Sequence, residues 1–194
     1  MITREEFHQY LKDSIYFNDY KTLLSADGKY FEALYFIFTK KPKLTLEYGG
    51  GASTFIIGKL LKELNYGGKI IGFEDQKKYY DIHVDNGHNI DNNIIHTPEY
   101  KINGKKFTYV HDLEPYKDVD FVILDGPDYR NYGDALGVTD NLELLVNYTG
   151  REIPYFMDGR TGCVKYYKEL GYTLEQKDLK NREENRWRLK NLSL

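Results

Sequence analysis

Three consecutive glycines, Gly49-Gly50-Gly51, stand between the apolar run Leu44-Thr45-Leu46 and the amphipathic stretch Ser53 to Leu64. Glycine loses more backbone freedom on folding than any other residue, so three in succession need a local reason. One reason is a tight strand-to-helix turn, with Ser53 as the helix cap. The other is a bare backbone that lets a ligand approach the helix N-terminus and its free N–H donors. Under either reading the segment is a β-glycine-α unit, and the rest of the chain repeats its alternation.

Thr3 and Glu6 have the spacing of a capping box, predicting a short helix through about Leu11. Phe31, Leu34, Tyr35 and Phe38 recur at helical spacing and predict a second helix, stopped by Pro42. "KLTLE" then reads as a strand ending at Glu47, Phe55 to Leu61 as one helix face, and "KIIGFE" as a strand ending at Glu74. A polar helix is expected from Gln76 to about Val84, and Asn103-Gly104 between two alternating segments signals a hairpin near 94–110. "FVIL" at 121–124 is apolar throughout, as suits a strand covered on both faces. Residues 140–148 read as a helix, "EIPYFMD" as a strand, "CVKYYKELG" as a helix, and the tail as two β runs.

Alternating strands and helices indicate a Rossmann-like α/β three-layer sandwich with a mostly parallel sheet. The tail adds an antiparallel C-terminal strand pair. One domain over 1–194 is expected, with 1–42 as a helical cap and 43–194 as the ligand-binding core. A single cysteine, Cys163, leaves no intrachain disulfide, and the net charge of −3 makes nucleic acid an unlikely partner. No apolar stretch approaches the ~20 residues of a membrane span, so a cytoplasmic protein is expected.

The candidates for chemistry share one placement, the carboxyl ends of strands: Glu47, Glu74, Asp112, Asp125 and Asp158. Ligands of open α/β sheets bind there. Glu74 lies 23 residues after Gly51, where an acid accepts hydrogen bonds from a ribose. Gly49 and Gly51 fit a dinucleotide fingerprint, but Thr54 occupies its third glycine position. Glu47, immediately before the turn, would repel a pyrophosphate and suits an ammonium group. That combination points to S-adenosylmethionine (SAM), an amino acid joined to adenosine through a cationic sulfonium.

The chain resembles the class I SAM-dependent methyltransferases over nearly its whole length. "LEYGGGAST" is similar to the family's first motif, and "IIGFED" to the second. "VHD" resembles the third-strand end, "VDFVILDGPDY" the fourth-strand motif of small-molecule and sugar methyltransferases, and "YFMDG" the fifth-strand end. The resemblance implies a seven-stranded sheet and a cofactor site at Glu47, Tyr48, Gly49, Gly50, Gly51, Ser53, Thr54, Glu74, Asp75, His111, Asp112 and Asp125. It implies Asp125 as catalytic residue and Pro127, Tyr129 and Asp158 against the substrate. "SADGKYFEALYFI", with Asp125 followed by Tyr129, is also similar to metal-dependent catechol-type O-methyltransferases, in which Asp125 and Asp158 would hold magnesium. Gly159 and Gly126-Pro127 depart from that subgroup's pattern, so a site without metal is expected and Mg2+ is the alternative. The other histidines have no metal-ligand spacing.

The leading expectation is therefore a SAM-dependent methyltransferase acting on a small-molecule or sugar hydroxyl. A SAM- or nucleotide-binding module without transfer is the alternative. An NAD-dependent oxidoreductase is a third reading, disfavoured by Thr54 and by Leu170 where a Tyr-x-x-x-Lys pair begun at Tyr166 would need lysine.

Overall fold

The alternation read from the sequence places β1 (Leu44–Tyr48) at the centre of a parallel sheet in the computed structural model. The structure describes residues 2–21, 30–89, 91, 93–103, 106–127, 138–157, 161–172, 174–177 and 186–189. On one side β1 pairs in parallel with β2 (Lys69–Glu74), which pairs with β3 (Ile94–His96). Two strands of a separate small sheet follow in the chain, β4 (Tyr100–Asn103) and β5 (Lys106–Tyr109). The chain then returns to β6 (Phe121–Leu124), parallel to β1 on its other side. A two-residue strand, β7 (Val138–Thr139), joins the small sheet alongside β5. The parallel series closes with β8 (Tyr155–Met157), and the antiparallel pair β9 (Leu174–Lys177) and β10 (Arg186–Leu189) continues the edge. The order is β3-β2-β1-β6-β8-β10-β9. Its direction of growth reverses between β1 and β6, the switch point beside which such sheets form a crevice.

Period-two alternation along β1 distributes its side chains between two helix layers. Leu46 and Tyr48 face one layer, with Leu142 and Leu145 of α5 (Asn141–Thr149) and Cys163 and Tyr167 of α6 (Thr161–Glu169). The opposite layer contains α1 (Arg4–Asp13), α2 (Phe31–Lys40) and α3 (Ala52–Leu64). There Phe7, Leu11, Leu34, Ile37, Ile57 and Leu60 meet Phe121, Ile123 and Phe156 of the sheet. Helix α4 (Lys77–Asp85) carries no buried residue and lies beside β2 and β3.

Local signals act where the sequence carries them. Thr3 Oγ1 accepts from Glu6 N at 3.1 Å and Glu6 accepts from Thr3 N at 2.6 Å, closing the capping box of α1. Helix α2 ends at Lys41, left-handed at φ 51°, immediately before Pro42. The segment preceding Asp112 is placed differently from expectation. The third parallel strand is Ile94–His96, and Phe107–Tyr109 belongs to the small sheet. The hairpin signal at Asn103-Gly104 prevails over a continuous crossover, although Gly104 itself lies outside the described residues. Among the described residues no helix is long and apolar enough to cross a membrane.

Candidate functional site

The glycine turn is built by close approach of backbones. Gly49 has φ +96°, and a Cβ there would fall 2.6 Å from Gly126 Cα, on the loop leaving β6. A Cβ at Gly50 would fall 2.7 Å from Gly72 Cα, within β2. The Gly49 and Gly50 amides both donate to the Phe73 carbonyl, at 2.9 and 2.8 Å, and Gly51 N donates to Thr54 Oγ1 at 3.0 Å. These amides are thus engaged within the protein. The N–H groups the turn presents, among the described residues, are those of the first turn of α3, Ala52 to Thr54. At Gly51 the neighbour is a side chain: His83 Nε2 of α4 lies 2.8 Å from where a Cβ would stand.

Alternation sends Glu47 to the face opposite Leu46 and Tyr48, beneath α2 and α3, where it is fully buried. Its Oε2 accepts from Thr54 Oγ1 at 2.5 Å, and Ser53 also hydrogen-bonds it. The hydroxyl of Tyr30, at the start of α2, lies within hydrogen-bond distance of two acids, 3.1 Å from Glu47 Oε1 and 2.6 Å from Asp125 Oδ2. On the neighbouring strand Glu74 is 8% exposed and accepts from Gln76 N at 2.9 Å. Asp75 is equally buried and accepts from the Tyr109 hydroxyl at 3.1 Å. Tyr109 is fixed in turn by Asn141, whose side chain accepts from its N–H at 2.9 Å and donates to its carbonyl at 2.8 Å. Asp125 follows β6 directly, and Pro127 is buried beyond it.

Burial pushes the Glu47 carboxyl up to about 7, against the pull of Ser53, Thr54 and Tyr30. Burial likewise pushes Glu74 up to about 8, opposed by the Gln76 amide and assisted by the charges of Asp75 and Glu47. Neither Glu47 nor Glu74 forms an ion pair with a described residue. Two buried carboxyl groups at adjacent strand ends therefore hold their protons near neutral pH, or else meet a positive charge or a hydroxyl-rich ligand brought from outside.

No family model matches the chain, and no curated protein matches it in sequence. Its structure is similar to a crystal structure from Staphylococcus aureus provisionally named a caffeoyl-CoA O-methyltransferase. The superposition covers 96% of each chain, with a TM-score of 0.50 and 11% sequence identity. What the two share is the fold. In this chain that α/β fold places the turn, Glu47, Glu74 and Asp125 around one strand switch.

Other candidates lie elsewhere. Tyr48 is fully buried among Phe73, Tyr109 and His111 on the opposite face of β1, and its carbonyl accepts from the Asp125 and Gly126 amides. His111 stacks on Phe73 with ring centres 4.3 Å apart. Its Nδ1 donates to the Asp112 carbonyl, so Nε2 accepts from the Tyr48 hydroxyl, and burial lowers its pKa. Asp112 is exposed and accepts from Glu114 N, starting a 3-10 turn at Glu114–Tyr116. Tyr129 and Asp158 lie outside the described residues. Among the described residues no group of three or more His, Cys, Asp or Glu is placed to hold a metal ion.

Three residues that sequence reasoning had not put in the site stand in it: Tyr30, His83 and Tyr109. Tyr30 falls inside "SADGKYFEALYFI", but its spacing is that of a core aromatic. His83 carried one usable signal, its place on the helix after β2, facing back to the turn. Tyr109 carried none, because only the hairpin's own packing directs it to Asp75.

Proposed function

We propose that the protein is a SAM-dependent methyltransferase acting on the hydroxyl of a small molecule or sugar. The observation that carries this reading is the pair Glu47 and Glu74, buried carboxyl groups flanking a glycine turn at adjacent strand ends. The donor set fits the cofactor: Glu47 lies where an amino-acid ammonium would neutralise it, and Glu74 where a carboxylate accepts from ribose hydroxyls. Ser53 and Thr54 would add first-turn contacts, and Asp75 would stand at the adenosine end. Bound there, SAM supplies an electrophilic methyl group, transferred to the acceptor oxygen as the sulfonium becomes a thioether.

The protein's contribution is positional and electrostatic. Asp125, at the end of β6, takes the proton of the acceptor hydroxyl, and Pro127, Tyr129 and Asp158 shape the acceptor's side of the site. The reaction is proposed to need no metal. The test is calorimetry with SAM and S-adenosylhomocysteine, followed by methyl transfer to a panel of hydroxylated acceptors with EDTA and with magnesium. Micromolar-class binding and transfer in EDTA are expected. Activity lost in EDTA and restored by magnesium would make Asp125 and Asp158 metal ligands instead. Tight binding without transfer would favour a SAM- or nucleotide-binding module. The engagement of Asp125 by Tyr30 is the feature that favours that second reading.

A further inference from the structure

The segment "SADGKYFEALYFI" contributes one side chain that the proposed reaction leaves unused. Tyr30 is 6% exposed, its ring lies 5.4 Å from that of Phe156 on β8, and its hydroxyl reaches two carboxyl groups from different strands. Asp125 Oδ2 is 2.6 Å away and Glu47 Oε1 is 3.1 Å away. A phenol has a single proton to donate. Two carboxylates therefore compete for it, Asp125 through the shorter contact.

We propose that Tyr30 is a positioning residue whose hydroxyl couples Glu47 to Asp125. The inference rests on reading those two acids as the cofactor end and the acceptor end of one site. A cation seated on Glu47 leaves the phenol proton to Asp125 alone and holds that carboxylate in place. An acceptor hydroxyl donating to Asp125 turns the phenol back towards Glu47. Filling one end thus changes the hydrogen bonding of the other without any movement of the strands.

Among the described residues, the groups facing the trio come from α3, β8 and β2. Ser53 and Thr54 of α3 bond Glu47, Phe156 of β8 supports the phenol ring, and the Glu47 charge acts through space on Glu74 of β2. Burial and the charges of Asp125 and Glu47 keep the phenol protonated, raising its pKa well above the ordinary range. It remains a donor throughout the working pH range.

The test follows the Glu47 side-chain carboxyl by carbon-13 NMR through a pH titration of the full chain, the signal being assigned by its loss in Glu47→Gln. In Tyr30→Phe a donor to the ionised form is gone, so Glu47 should hold its proton at least about threefold more tightly. The ring contact with Phe156 remains, and near-ultraviolet circular dichroism checks the fold. Asp125→Asn removes the competing charge and should loosen the Glu47 proton in the wild-type background, by less than half as much in the Tyr30→Phe background. A Glu47 titration unmoved by Tyr30→Phe, or an Asp125→Asn effect equal in both backgrounds, overturns the proposal. Asp125→Asn in the wild-type background alone decides the matter should Tyr30→Phe fail to fold, since a Glu47 titration it leaves unmoved rules out coupling. Calorimetry with SAM on the same samples separates the two readings. Coupling without SAM binding defeats the methyltransferase reading only, and SAM binding with an unmoved titration defeats the coupling only.

Discussion

Strands β1 and β2 have chemically opposite ends. At their amino ends Lys43 and Lys69 are exposed and adjacent, the Lys69 N–H donating to the Lys43 carbonyl at 2.9 Å. An open groove of about 730 Å³ runs past Lys69, lined also by Lys59, Lys62, Asn65 and Asn93. At their carboxyl ends the same strands deliver Glu47 and Glu74 into the interior. The amino ends thus border open space, and the carboxyl ends bury acids. The groove's lysines have ordinary explanations: Lys59 pairs with Asp19 at 2.7 Å, and Lys62 stands in the last turn of α3, where the helix dipole favours a cation. Solvated charges of this kind cost the fold little. Buried carboxyl groups with no ion pair are costly, which makes the carboxyl end the place where function accounts for the structure.

The largest expected effect is at the turn itself. Gly49→Val combines a positive φ with a branched side chain driven into the Gly126 backbone, and should cost about 3–5 kcal/mol in urea unfolding. Gly67→Ala, at φ +82° with nothing within 4 Å of the added carbon, isolates the backbone strain and should cost only about 1–2 kcal/mol. Equal losses would mean that the β1 and β6 loops do not pack together as described. The pair contrasts a turn at the carboxyl end with a turn at the groove.

The next effect is a pH dependence opposite to that of most carboxylates. An unfolded glutamate titrates near 4.5, whereas Glu47 does so at about 7 and Glu74 at about 8. Between those values the folded chain retains protons that the unfolded chain releases, so stability falls as pH rises through the window and levels above about 8. A decline of several kcal/mol, about 1.4 kcal/mol per pH unit for each retained proton, is expected in urea unfolding between about pH 5 and pH 8.5. Glu47→Gln should flatten the lower part of it. Stability rising through the same window would show both groups ionised and compensated. A third, smaller effect concerns the ligand. Glu74→Ala should weaken SAM at least about tenfold in calorimetry, the loss of charge-assisted bonds worth roughly 1.5–3 kcal/mol. An unchanged dissociation constant would remove Glu74 from the site.

The parallel strands and their end residues were legible because hydrophobic runs, glycine and helix stops act locally. β1, β2 and β6 come directly from "LTLEY", "KIIGFE" and "FVIL". What was not legible depends on contacts across the chain. The glycines suggested room for a ligand, yet two of them are required by Gly72 and Gly126, residues far along the sequence. "VHD" resembles a main-sheet strand end, and although Asn103-Gly104 signals a hairpin, nothing local says that the hairpin belongs to a second sheet. Tyr30 and Tyr109 are not singled out in the sequence; both are core, and only their hydroxyl partners Asp125 and Asp75 make them more than that.

The smallest expected effect tests the other half of the contrast. Lys62 and Lys69 are exposed, and neither forms an ion pair with a described residue. Replacing both with alanine removes two solvated charges from the groove and one favourable interaction with the end of α3. Stability should change by no more than about 0.5 kcal/mol, because exposed charges interact weakly through water. SAM affinity should stay within about twofold, since these residues stand at the far end of strands whose opposite ends carry Glu47 and Glu74. Calorimetry on the double variant at low and moderate salt reads both distance and screening. If affinity instead fell tenfold while Glu74→Ala left it intact, the ligand would belong to the groove.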